Sequence, residues 1–304
     1  MDAAQPGPAA GPIEELAFEL LGQRPGIHEG RRRVGAAPEP HALESGSPRD
    51  STADSTTVDA MADADIHFYF DPVCPFAYMT SKWVRKVRAQ REYAVEWRFI
   101  SLRVLNAHID YAKHFPPEYE AGHTAGLRLL RVAASVRREH GPDAIDPLYA
   151  AWGRRFFDEH PGGSYAADGT DFRGTAEYVT AVLDDLGLPT HHAAALDDTG
   201  FDEEIKAETE EALALTGRDV GTPIIHFQPP NGVAFFGPVI SRLPSDEDAV
   251  RLWDHVIGLA GFPGFAELKR SLREKPQLRS FGVSDAEVGE QEDWHGGSRR
   301  TQKG

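Results

Sequence analysis

A chain of 304 residues with 48 acidic and 32 basic side chains carries a formal charge of −16, which argues against nucleic acid or an anionic membrane as its main partner. Its single cysteine excludes an internal disulfide and a cysteine-rich zinc site, so the chain reads as a protein of a reducing cytosol. No apolar run approaches the roughly 20 residues of a membrane span, and the start lacks a basic segment followed by an apolar signal core, so a cytoplasmic location is expected.

Residues 1–64 are rich in Ala, Pro, Gly, Ser, Asp and Arg, and their composition predicts a disordered N-terminal extension. Within it, the apolar residues of Ile13 to Leu21 fall on one helical face and allow a short amphipathic helix. Met61 directly precedes the first strand, which makes it a candidate for the true start of the protein.

Ile66 to Phe70 alternates apolar and polar side chains in a β-rich run, and Asp71-Pro72 ends it. Cys74 follows, and a helix is expected from Pro75 through Val87, since proline suits a first helical turn. A thiol in that place faces unpaired backbone N–H groups and the positive end of the helix dipole. The expectation is therefore a favoured thiolate that alkylates faster than a free thiol at neutral pH.

Val95 to Leu102 reads as a second strand, parallel to the first because a helix joins the two. From Asn106 to about Leu215 the pattern is helical, with segments at Ala125–Arg138, Pro147–Phe157, Phe172–Leu186, Thr190–Leu196 and Asp202–Leu215. Gly221-Thr222-Pro223 then opens a strand to Phe227, the turn Pro229 to Gly232 reverses the chain, and Val233 to Phe236 returns antiparallel. Thr222-Pro223 is a place where a cis peptide can persist. Asp246 to Leu259 forms a closing helix, and Phe265 to Leu272 adds a short one.

The order β, α, β, helices, β, β, α defines an α/β protein with a thioredoxin-like fold and a large all-helical insertion. The expected division is a thioredoxin-like domain from 65–105 and 216–275, an inserted helical subdomain at 106–215, and a disordered C-terminal tail at 276–304.

That order, with Phe-Asp-Pro-x-Cys-Pro near the start and Gly-Thr-Pro before the hairpin, resembles the DsbA-like branch of the thioredoxin superfamily. FDPVCPFAYMTSKW, SLRVLN at 101–106, DPLY at 146–149, DVGTPIIHF at 219–227 and GVAFFGPVIS at 232–241 look like the actinobacterial mycothiol-dependent nitroreductase family. The resemblance covers about residues 64–278. It implies that Cys74 is the redox nucleophile and that Thr222-Pro223 is a cis pair facing it. It also implies that Asn106 and Tyr119 line the substrate site. Three positions depart from the family pattern: Ala77 replaces the resolving cysteine, Phe76 replaces a tryptophan, and Phe157 stands where a histidine is looked for.

Cys-Pro-Phe-Ala keeps the attacking thiol and lacks the one that would resolve a mixed disulfide from within. The leading expectation is a cytosolic thiol-disulfide oxidoreductase that works as a monothiol through Cys74, with mycothiol or another low-molecular-weight thiol as co-substrate. Pro75, Phe76, Asn106, Tyr119, Thr222 and Pro223 are its candidate binding residues. For Asn106 a helix cap is an equal reading, and for Tyr119 plain packing is the simpler one. The alternatives are a thiol transferase or isomerase resembling the kappa-class glutathione transferases, or a non-catalytic binding protein that keeps the groove. His191-His192, His123 and His140 lack companion carboxylate or cysteine spacing, so no metal is expected. A homodimer is left open.

Overall fold

The computed structural model describes residues 64–114, 117–160, 169–268 and 276–283. The expected helix at Ile13–Leu21, the start at Met61 and most of the expected C-terminal tail lie outside these residues. No described helix is long and apolar enough to cross a membrane.

Strand β1 (Ile66–Phe70) is the centre of a four-stranded sheet of order β2, β1, β3, β4. It pairs in parallel with β2 (Val95–Phe99), Ile66 beside Val95 and Phe70 beside Phe99. On its other side β3 (Ile224–Phe227) runs antiparallel, with Ile66 opposite Phe227, and β4 (Ala234–Phe236) closes the hairpin. This is the thioredoxin arrangement expected from the element order, because a parallel pair needs a crossover helix and an antiparallel pair only a turn.

Both faces of the sheet are covered, which explains why β1 buries the tyrosine of its alternating pattern along with the phenylalanines. Ile66, Phe68 and Phe70 face the large core built with α1 (Pro75–Arg88) and α8 (Asp246–Ala260). Trp83 of α1 lies 5.2 Å from Trp253 of α8, ring to ring, and donates its indole N–H to Ala249 O at 2.9 Å. Each such fully buried large side chain stabilises the fold by roughly 2–3 kcal/mol. Tyr69 points the other way and packs with Ile100, Ile224 and Leu213 of α7 (Asp202–Thr216).

The insertion begins with two single turns, α2 (Leu102–Leu105) and α3 (Tyr111–His114). The long α4 (Pro117–His140), then α5 (Ile145–Gly153) and α6 (Ala176–Asp185) follow, with a 3-10 segment at Thr190–Asp197 before α7. Arg85 and Arg88 of α1 both bind Asp146 at 2.7 Å, joining α1 to the start of α5.

Several element bounds differ from expectation for local reasons. β2 ends at Phe99 because Ser101 caps α2 with its hydroxyl and its own N–H goes to Thr209 Oγ1 at 3.0 Å. The helix expected over Phe172–Leu186 is broken at Thr175, which caps α6, after a 3-10 turn at Phe172–Gly174. Phe265 to Leu268 is not helical. Residues 276–283, expected in the disordered tail, are instead seated on the domain: Leu278 is buried and Gln277 N–H donates to Ser241 O at 2.7 Å.

Candidate active site

Cys74 occupies the N-cap of α1, with Pro75 in the first helical position, where the missing N–H leaves nothing unsatisfied. Its sulfur accepts from Ala77 N–H at 3.5 Å and donates to the Thr222 carbonyl at 3.4 Å. Thr222-Pro223 is cis, as are Pro229-Pro230 and Gly237-Pro238. The fold therefore brings Cys74, Pro75 and Phe76, after β1, together with Thr222 and Pro223, before β3.

The turn before Cys74 is fixed by Asp71, which the sequence offered only as a strand breaker. Its carboxylate is fully buried and accepts from Val73 N–H at 3.0 Å and Leu102 N–H at 2.8 Å, so it joins the end of β1 to the start of α2. Burial pushes the Asp71 carboxyl up to about 6, against the pull of those two N–H groups and of Arg173. Arg173 is buried beside it, donating to both oxygens of Asp171, the shortest contact at 2.5 Å, and to Val73 O at 3.5 Å. Its guanidinium also lies 4.3 Å from the Phe156 ring. Tyr149, from the DPLY motif, stacks on Phe70 at 3.9 Å, and burial pushes its phenol up against the pull of the Arg85 guanidinium.

The expectation of a favoured thiolate is corrected here. Burial pushes the Cys74 thiol up to about 12, and the Asp71 charge adds to the rise, against the N–H groups of Ala77 and Phe76. Cys74 is 8% exposed, so the helix N-terminus supplies two donors while the solvation that a thiolate needs is withheld. The S–H bond to Thr222 O also favours the protonated form. Alkylation of Cys74 at neutral pH is therefore expected to be at least about tenfold slower than that of a free thiol. Its rate should climb with pH without a plateau up to pH ~10, and Asp71→Asn should speed it by removing a buried charge. A plateau near or below pH 8, measured by mass spectrometry over a pH series, would contradict this.

Asn106 and Tyr119 are not brought to the sulfur by any hydrogen bond among the described residues. Asn106 is buried at the C-cap of α2, its backbone N–H bonded to Leu102 O at 3.0 Å, so it ends a helix rather than starting one. Tyr119 packs edge-on to His123 at 5.7 Å, and His123 Nδ1 lies 2.9 Å from the Tyr111 hydroxyl. Burial holds His123 down to about 3, so this aromatic group is uncharged. Phe157, at the position where a histidine was looked for, is buried and stacks on Tyr78 at 5.0 Å.

The fold and site define a thioredoxin-fold protein with a helical insertion and one thiol at the cap of α1. The chain belongs to the Rv2466c-like family, described as mycothiol-dependent nitroreductase Rv2466c, which it matches over residues 73–270. It is 34% identical over 206 residues to "Uncharacterized protein Rv2286c" of Mycobacterium tuberculosis, covering 67% of this chain and 81% of that one. Among solved structures it is similar to DsbA of Chlamydia trachomatis, with 12% identity, a TM-score of 0.39, and 71% of this chain and 100% of that one covered. It is also similar to the cytosolic disulfide reductase DsbM from Pseudomonas aeruginosa, with 15% identity, a TM-score of 0.39, and 64% and 99% covered.

Proposed function

We propose that this protein is a cytosolic, mycothiol-dependent thiol-disulfide oxidoreductase that works as a monothiol through Cys74. The observation that carries the reading is the Cys74 sulfur at the cap of α1, 3.4 Å from the Thr222 carbonyl, in a chain of this family with Ala77 one turn on. Family membership supports the thiol chemistry and the co-substrate, while the single-thiol cycle follows from Ala77.

The Cys74 thiolate attacks one sulfur of a small disulfide, forms a mixed disulfide with it, and releases the other sulfur as a thiolate that takes up the proton. A second, external thiolate then attacks the mixed disulfide, restores Cys74 and leaves as the new mixed disulfide. The Thr222–Pro223 backbone beside the sulfur suits an extended, polar substrate that pairs with main-chain groups.

The cycle requires the sulfur to leave its buried protonated state, so exposure of Cys74 precedes the first attack. The same burial favours a second reading, a binding protein that keeps the groove and holds Cys74 as an inert thiol. Exposure to oxidised mycothiol followed by intact mass spectrometry separates the two. The oxidoreductase is expected to gain one mycothiol mass, reversed by reductant and absent in Cys74→Ser. No adduct on the wild type after prolonged incubation at pH 9 would overturn the redox reading.

A further inference from the structure

The sequence argues against a metal because its histidines lack a companion carboxylate at ligand spacing, yet the fold supplies that carboxylate from a neighbouring helix end. Glu139 and His140 close the last turn of α4, and His191 and His192 open the 3-10 segment packed against it. His140 Nε2 and His192 Nε2 face each other at 3.1 Å, and Glu139 places its carboxylate oxygens 3.7 Å from the first and 3.8 Å from the second. All three ligand atoms fall within 4.8 Å of one another.

We propose that Glu139, His140 and His192 form a binding site for a divalent transition cation of the zinc class. Three features of the site favour it. Two nitrogens bound to one tetrahedral zinc by bonds of about 2.0–2.1 Å stand about 3.3 Å apart, close to the separation found here. The His192 side chain is fully buried, and its other ring nitrogen, Nδ1, lies 2.8 Å from the Ser135 hydroxyl, which fixes the ring with Nε2 directed at the cluster. The cluster also sits at the C-terminal end of a 24-residue helix, whose carbonyls and dipole favour a cation.

The arginines of the same turn are engaged elsewhere, Arg137 with Glu204 at 2.6 Å and Arg138 with Glu204 at 3.4 Å, so neither guanidinium fills the place. His191 lies 3.1 Å from Glu139 and is positioned to orient the carboxylate or to enter as a further ligand. A cation there would pin the end of α4 to the segment before α7.

The competing arrangement is a direct hydrogen bond between the two imidazoles beside a His191–Glu139 ion pair. Calorimetric titration of the chelator-treated full chain with zinc sulfate separates the two, in a Cys74→Ser background that removes the thiol as a ligand. One zinc per chain is expected, with the affinity reduced at least about tenfold by His140→Ala and by Glu139→Ala. Ser135→Ala, which touches no metal, should weaken binding by about tenfold while leaving the circular dichroism unchanged. Both ligand variants alter partly exposed side chains, so the fold should survive them. Absence of a one-to-one event in the parent, or an equal affinity in His140→Ala, would overturn the proposal.

Discussion

Ala77→Cys is expected to free the release of a bound sulfur from Cys74 from its need for an external thiol. On the proposed cycle, release from the wild type is second order, so turnover with a small reporter disulfide should rise in proportion to added thiol until another step limits it. Position 77 is one helical turn from Cys74, and its backbone N–H already reaches the sulfur at 3.5 Å. Positions three apart at a helix start fall within the Cα separation that a disulfide spans. Ala77 is fully buried, so a sulfur placed there is directed at Cys74 rather than at water. A tethered thiol in that geometry should release the bound sulfur on the order of 10²-fold faster than millimolar external thiol. Stopped-flow release of the labelled half of the mixed disulfide, with and without added thiol, measures this directly. Cys74→Ser should abolish turnover in both backgrounds. Thiol-independent release in the wild type, or unchanged turnover in Cys74→Ser, would overturn the monothiol cycle.

That such an experiment can be designed from the chain alone reflects how much of the site is written locally. The run Ile66 to Phe70, the Asp-Pro break and the proline after Cys74 place a strand end, a turn and a helix cap within ten residues, and each signal is a short-range preference. The hairpin of Ile224 to Phe236 is equally local, and Gly232 shows why: a Cβ there would lie 1.8 Å from Phe227 O. The thiol's ionisation is not local. The helix N-terminus is visible in the sequence and pulls one way, but the burial that wins comes from packing against the distant Thr222 carbonyl and the aromatic core.

Asp71 was missed for the same reason. Its pattern, Asp-Pro after a strand, signals a break, while its bond to Leu102 N–H and its closeness to Arg173 appear only when the insertion folds back. A charged residue directly following a run destined for the sheet centre was the available clue, since a carboxylate there must be satisfied or removed. The cluster of Glu139, His140 and His192 escapes spacing rules, because His140 and His192 are 52 residues apart and meet through two helical segments.

Gly153→Ala is expected to destabilise the protein by about 3 kcal/mol or more, although alanine is the better helix former by about 1 kcal/mol. Gly153 ends α5 where it crosses α1, and a Cβ there would lie 2.0 Å from Tyr78 Cε2 and 2.1 Å from Cδ2. The ring must therefore move by more than an ångström, and it is held on three sides. It stacks on Phe157 with planes 21° apart, its hydroxyl donates to Asp158 Oδ2 at 2.6 Å, and Lys82 holds the same carboxylate at 2.9 Å. The exposed part of that network, the Lys82 pair, adds little by itself, so the cost lies in the packed ring. For a folded unit of this size each kcal/mol lowers Tm by about 2–4 °C, which predicts a fall of about 6–12 °C by calorimetry. Tyr78 N–H is bonded to Cys74 O at 3.0 Å, so a displaced Tyr78 drags on the cap of α1, and on the proposed cycle turnover should drop with Tm. A double-mutant cycle with Tyr78→Leu isolates the clash, since removing the ring should recover most of the loss in Gly153→Ala. A rise in Tm for the single variant would mean that helix propensity governs position 153 and that α1 and α5 do not meet as described.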